Sequence, residues 1–335
     1  MIPVKSVSLR IEVGATISAA VPQQIAGTVY YPEEFEPGEH PLVIFAAPGG
    51  GYSQHYYNMH FDGHEGYSEA EYHTARDIVF ITMDHLGVGE SSLELTEQLS
   101  IEQAADTNDA FVREVVTRLE KGSVAADLPP LASPFVVGVG QSMGGGVTIV
   151  MQSRNRTFDA IVALGKSALH SVLPQPTFDL FDVQRSIFYF SRTTPLNELS
   201  IRLTSDRIPD FLYPFHWPEE PEDVVAEDMK GGYPARQEAP VFGSATTPTY
   251  AVAMMSPAFL TPDAARIEVP VLVAGGERDV MPDARREPTA FINSSDVSVF
   301  IAPRMAHMHN FAPTRRLLWQ RVAEWSQMQA RREVA

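Results

Sequence analysis

The chain has 335 residues, no cysteine, and 42 acidic against 25 basic side chains, for a formal charge of −17. Without cysteine there are no disulfides, thiolate metal sites or cysteine nucleophiles. The acidic balance argues against nucleic acid and anionic membranes, which attract basic surfaces. With 44% hydrophobic and 20% charged residues the composition is that of an ordinary globular protein, large enough for one domain or one domain with a sizeable insertion. No apolar run approaches the roughly 18–20 residues of a membrane span. A cytoplasmic protein, alone or as a homo-oligomer, is the expectation.

Residues 4–13 (VKSVSLRIEV) and 24–32 (QIAGTVYYP) alternate as antiparallel strands do. The run 42–47 is apolar throughout and breaks at Pro48, which predicts a buried strand entering the turn AAPGGGY. A segment dense in His and Tyr follows, then a short helix that Ser68 and Glu71 would cap. IVFITMD (78–84) is the next buried strand. At 100–122 a second Ser-x-x-Gln cap opens a helix with Phe111, Val115 and Leu119 on one face. Strand FVVGVG, helix MGGGVTIVMQSR and strand DAIVALG come next. Two further strands, 269–276 and 297–303, precede a C-terminal helix. Apolar strands alternating with helices predict the α/β class, with a mostly parallel sheet covered on both faces.

Residues 169–265 lack this rhythm and are rich in proline and aromatic residues. A structureless loop of that length is implausible inside a compact domain. The segment is therefore read as a cap inserted after the sixth strand, leaving 1–168 and 266–335 as the core domain.

The turn VVGVGQSMGGGVTI (136–149) admits three readings. As a dinucleotide cradle it has Gly138 and Gly140 after a strand, with Asp159 further on, but Met143 occupies the third glycine position and Asp159 begins a strand instead of ending one. No Gly-Lys-Ser/Thr occurs, so it is not a P-loop. As a packing turn, its glycines would only bring helix and strand together. As a nucleophile mount, Gly140-Gln-Ser142-Met-Gly144 forces a serine into a strained turn that only small flanking residues permit.

A serine hydroxyl needs a base, and the base an orienting carboxylate; where the serine stands on a strand-to-helix turn of this kind, the chain order is Ser…Asp…His. Asp279 lies just past one buried strand and His307 just past the next, at strand ends where open α/β sheets bind ligands. Asp283 and Glu277 compete for the acid, and His309 for the base. The oxyanion of an acyl intermediate needs backbone donors. The N–H groups of Met143, Gly50 and Gly51 are the candidates.

With these residues in view, the chain resembles the α/β-hydrolase-fold serine hydrolases over nearly its whole length outside the cap. MDHLGVGESS (83–92) is similar to the family's Asp-x-x-Gly-x-Gly-x-Ser segment, and GQSMGG to its nucleophile elbow. PVLVAGGERDVMP resembles the acid segment, with Pro282 one residue early; MAHMHNFAP resembles the terminal histidine segment, with Ala306 for the usual glycine. PGGGY departs from His-Gly-Gly-Gly in having Pro48 first. The resemblance implies acyl transfer to Ser142 and hydrolysis by water that His307 activates.

His55, His60, Asp62, His64 and Glu65 are ligand types, but their spacing matches no tight metal motif, so neither metal nor cofactor is expected. That loop is read as a wall of the site, with Tyr52, His55 and Tyr56 touching substrate. From the cap, Phe188, Phe215 and Trp217 are expected to line a lipophilic pocket. The expectation is a serine hydrolase of a lipophilic, uncharged carboxylic ester or lactone. Carbon–carbon bond hydrolysis, thioester hydrolysis and a non-catalytic ligand-binding role remain as alternatives. Dehalogenases and epoxide hydrolases of this fold use an Asp nucleophile, which Ser142 disfavours.

Overall fold

The structure, a computed structural model, describes residues 4–176, 190–199, 210–233 and 236–333. Its strands are β1 (Val4–Glu12), β2 (Gln24–Pro32), β3 (Leu42–Ala47), β4 (Val79–Met83), β5 (Phe135–Gln141), β6 (Ala160–Leu164), β7 (Val271–Gly276) and β8 (Val297–Ala302). They form one sheet in the order β1-β2-β4-β3-β5-β6-β7-β8. β2 runs antiparallel to both β1 and β4, and every other pairing is parallel.

The burial of β3 explains its unbroken apolar sequence. Val43, Phe45 and Ala47 enter the core on one face of the sheet, and Leu42, Ile44 and Ala46 the core on the other. Successive side chains of a strand point to opposite faces, so a strand covered twice has no polar side to show.

Helices α2 (Ile101–Glu120) and α3 (Met143–Asn155) pack on the first face; α1 (Glu69–Thr74) and the C-terminal α8 (Arg315–Glu333) contribute Ala70, Leu318, Val322 and Trp325 to the second. Ser100 and Gln103 make both halves of the capping box at the start of α2. At α1 the Ser68 hydroxyl accepts the Glu71 N–H. Phe111, Val115 and Leu119 are fully buried on one face of α2, each contributing about 1.5–3 kcal/mol by leaving water.

The connection from β6 to β7 holds, among its described residues, only short helices: α4 (Leu212–Phe215), α5 (Glu222–Met229), α6 (Tyr250–Ala253) and α7 (Thr261–Ala264). Phe188 lies outside the described residues. No helix among the described residues is long and apolar enough to cross a membrane.

Parallel strands direct their C-terminal ends to one rim of the sheet. Ser142 follows β5, Asp279 follows β7, His307 follows β8, and the Pro48–Gly51 turn follows β3. That rim gathers the candidate site.

Candidate active site

Ser142 stands between β5 and α3 with φ 50° and ψ −110°, a backbone conformation that side chains other than glycine rarely adopt. The strain is held by tight packing around the turn. A Cβ on Gly140 would lie 2.3 Å from the Gly144 carbonyl oxygen, and one on Gly144 would lie 2.2 Å from the Ala47 oxygen. Only bare α-carbons let the helix start this close to the strand. Gly138, read from sequence as an ordinary strand residue, also makes room: its missing Cβ would meet the Phe158 ring at 2.4 Å.

The imidazole of His307 reaches Ser142. Its Nε2 lies 2.9 Å from Ser142 Oγ, and its Nδ1 lies 2.6 Å from Asp279 Oδ1. The backbone of His307 is clamped on both sides, its carbonyl accepting from Gln141 Nε2 at 3.0 Å and its N–H donating to the Pro214 carbonyl at 3.0 Å. The neighbouring Phe215 ring lies 5.3 Å from the imidazole, centroid to centroid.

Asp279 is surrounded by donors. Besides His307, its Oδ1 accepts the Val280 N–H at 2.7 Å; its Oδ2 accepts the Gly276 N–H at 2.8 Å and lies 2.7 Å from His309 Nε2. Burial alone would favour the neutral acid, but the two histidines outweigh it and hold the carboxyl well below the usual carboxylate range. Burial also lowers the His307 pKa below its ordinary 6.5, although Asp279 works in the opposite direction. A neutral imidazole facing a hydroxyl is the state a general base requires.

His309, the rival base by sequence, sits on the far oxygen of Asp279. Its Nδ1 is buried and unpartnered among the described residues. Its Nε2 braces the carboxylate from the side opposite His307 and does not face Ser142. Asp279, His307 and His309 are the described residues that group as metal-ligand types, and their mutual hydrogen bonds account for the grouping. The His55–His64 loop does not converge: His55 faces Glu90 at 3.5 Å, His60 faces Asn58 at 3.2 Å and His64 faces Asp223 at 2.9 Å.

Met143 opens α3, so its N–H has no intrahelical acceptor and lies at the positive end of the helix dipole. The Pro48–Gly51 turn stands alongside. A Cβ on Gly49 would fall 3.2 Å from Ser142 Cβ, and one on Gly50 would fall 3.9 Å from Met143 Sδ. Gly51, at φ +82°, lies under the Tyr233 ring. Gly49, which the sequence reading passed over, is thus adjacent to the serine. Beneath the turn, His85 Nε2 donates to the Pro48 carbonyl at 3.0 Å, while its Nδ1 accepts from Asn108 Nδ2 at 2.9 Å. Burial pushes His85 down to about 4, which keeps this neutral tautomer.

The expected substrate contacts divide. Phe215 stands against His307, as described. Tyr52 and Tyr56 are buried packing residues: the Tyr52 hydroxyl donates to Asp228 Oδ2 at 2.7 Å, and the Tyr56 hydroxyl accepts the Asn310 N–H at 3.0 Å. Trp217 lies over the Arg278 guanidinium and lines a cavity of about 610 Å³ with Leu212, Tyr213 and Met229, to which neither Ser142 nor His307 contributes. Sequence had no signal for these assignments, because aromatic residues look alike whether they face ligand or core.

A sequence model described as the alpha/beta hydrolase family matches residues 43–318. No curated protein matches the chain. Among solved structures, a haloalkane dehalogenase loop variant from Bradyrhizobium elkanii superposes with a TM-score of 0.59 at 12% identity, covering 98% of this chain and 99% of its own. A bromoperoxidase from Bacillus anthracis gives a TM-score of 0.59 at 13% identity, with 97% and 100% covered. A thermophilic esterase from Thermogutta terrifontis gives 0.57 at 15% identity, with 96% and 99% covered. At such identities the structures share a fold and nothing finer. The strand order, the strained serine after β5 and the match over residues 43–318 lead to one conclusion: the chain belongs to the alpha/beta hydrolase family.

Proposed function

We propose that this protein is a serine hydrolase of a carboxylic ester or lactone. The observation that carries the reading is the 2.9 Å approach of His307 Nε2 to the hydroxyl of a backbone-strained Ser142, with Asp279 behind the imidazole. In this mechanism His307 takes the hydroxyl proton as Ser142 Oγ attacks the carbonyl carbon. The oxyanion is received by the N–H of Met143 and by the Gly50 or Gly51 amide. Collapse expels the alcohol, which takes the proton from His307; for a lactone the alcohol stays attached to the acyl chain. Water then gives a proton to His307 and attacks the acyl-enzyme, and Ser142 regains its proton as the acid leaves.

The residues around the base favour an uncharged, lipophilic acyl group. The Phe215 ring lies tilted beside His307, Tyr233 covers Gly51, and the Phe211 and Phe215 rings each lie within 5.8 Å of Tyr233. We read 169–265 as a cap over the serine, and the contacts of Pro214, Phe215 and Tyr233 with the site support it. The test is covalent labelling with a fluorophosphonate, followed by turnover of lipophilic p-nitrophenyl esters and lactones. Labelling should vanish in Ser142→Ala, and turnover should be lost in His307→Ala while persisting in His309→Ala. Labelling that survives in Ser142→Ala would sink the reading.

A further inference from the structure

The turn that carries the candidate oxyanion donors has every carbonyl held. Pro48 O accepts from His85 Nε2 at 3.0 Å, Gly49 O from the Tyr52 N–H at 3.2 Å, Gly50 O from the Tyr233 hydroxyl at 3.0 Å, and Gly51 O from the Ser244 N–H at 2.9 Å. Arg236 Nη1 also donates to Gly51 O. A trans peptide is planar, so its C=O and the following N–H point in opposite directions. Fixing a carbonyl therefore aims the amide one residue later. Tyr233 sets the Gly51 N–H in this way. Arg236 and Ser244 fix the Gly51–Tyr52 peptide, which keeps the Tyr52 N–H on Gly49 O and so sets the Gly50 N–H.

The side chains responsible come from the β6–β7 connection and are themselves braced. Arg236 is buried, with Nη2 donating to Asp228 Oδ1 and to the Asp228 carbonyl, both at 2.7 Å. Asp228 Oδ2 receives the Tyr52 hydroxyl at 2.7 Å and lies 2.9 Å from His216 Nε2, whose Nδ1 faces Glu220 at 2.6 Å. A Cβ on Gly243 would lie 2.4 Å from Arg236 Nη1, so the guanidinium is packed against bare backbone. The Tyr233 ring lies 5.0 Å from that of Phe215, which faces His307. One stretch of the connection thus touches both the candidate base and the candidate oxyanion turn.

We propose that Tyr233 and Arg236 are positioning residues that aim the Gly50 and Gly51 amides at the oxyanion, so that the oxyanion hole is complete only while these two side chains hold the turn. This rests on the reading of Ser142 as an acyl-accepting nucleophile. Neither residue touches the reacting atoms. Both act through the orientation of two peptide planes, an effect that belongs to the tetrahedral state and leaves ground-state binding alone.

The discriminating variant is Tyr233→Phe, which removes one hydroxyl and keeps the ring in its aromatic cluster. With p-nitrophenyl butyrate, kcat should fall about 10-fold with KM within about twofold, a fraction of the 10²–10³ lost when a whole oxyanion donor is removed. An alkylboronic acid, whose serine adduct is tetrahedral and anionic, should weaken by the same factor, with the melting temperature lowered by only about 2 °C, as one lost hydrogen bond implies. Arg236→Lys keeps the charge but loses the planar fork that holds Gly51 O on one nitrogen and Asp228 on the other, so it should move kcat and the boronate affinity together in the same direction. Wild-type kcat and boronate affinity in Tyr233→Phe, or a change confined to KM, overturns the proposal. If Ser142 of the unaltered protein resists fluorophosphonate, the hydrolase reading fails and this inference with it; if Ser142 is labelled and Tyr233→Phe behaves as wild type, this inference alone fails.

Discussion

The closest packing in the site predicts a sharp contrast between two neighbouring glycines. In Gly144→Ala the new methyl would lie 2.2 Å from the Ala47 oxygen and 2.7 Å from the Pro48 oxygen. Both are backbone atoms at the end of β3, fixed by the sheet on one side and by His85 on the other. Relief to ordinary contact requires a shift of about 1 Å between the start of α3 and the Pro48–Gly51 turn, a misplacement that costs roughly 10²-fold in rate, or about 2.7 kcal/mol, if that turn holds the oxyanion. Overpacking should also cost about 1–3 kcal/mol of stability. Gly146→Ala is the internal control. Its methyl would meet Met254 Sδ at 2.6 Å, the far end of a flexible side chain. Met254 can swing aside, and alanine is the better helix former by about 1 kcal/mol. The measurement is kcat/KM on an aryl ester for both variants, with thermal melts alongside. Equal activities in Gly144→Ala and Gly146→Ala would refute the argument that backbone contact at 144 sets the geometry of the elbow.

Two further outcomes follow from buried titratable groups. Because His307 sits below 6.5, the acid limb of kcat/KM should fall below that pH; His309→Phe removes one donor from Asp279, strengthens its hold on protonated His307 and should move the limb upward. The same change weakens the ionised Asp279, whose depressed pKa contributes stability above the unfolded value near 4, so about 2 kcal/mol should be lost at pH 7 and progressively less in acid. A limb that stays put or moves down contradicts this. Lys166 is buried with its ammonium on the Met254 carbonyl at 3.0 Å, and desolvation pushes it down to about 7. Its folded pKa lies below its unfolded value of 10.5, so the unfolded chain binds the extra proton and the burial cost is fully present below pH 7, fading as pH rises toward 10.5. Lys166→Met should therefore stabilise the protein by up to roughly 4 kcal/mol at pH 6, after about 1 kcal/mol for the lost hydrogen bond, with the gain vanishing above pH 10 in denaturant titrations. A gain independent of pH would show that burial of the charge is not its source.

The fold and the site differ in how much of each could be read along the chain. Strands β2 and β3 lie where the sequence puts them, because a short run of strand-forming residues bounded by turn signals is a local feature of the chain. The elbow was legible for the same reason. A serine flanked by Gly140 and Gly144 at a strand-to-helix turn is a local steric solution, and local sterics need no distant partner.

What distinguishes His307 from His309 is not local. Both are buried, both contact Asp279, and they stand two residues apart. Only the path of the chain after β8, clamped by Gln141 and Pro214, turns one ring to Ser142 and leaves the other behind the carboxylate. The aromatic residues were equally silent. Tyr52 and Phe215 carry similar rings, yet one is buried on Asp228 and the other faces the imidazole. The sequence by itself determined the strands and the strained serine, since each follows from neighbours within a few residues, and it showed an acid and a histidine each just past a later strand. Tertiary structure alone decided which histidine reaches the hydroxyl and which residues grip the Gly50–Gly51 turn from Tyr233 and Arg236, because those contacts join segments some 160–190 residues apart.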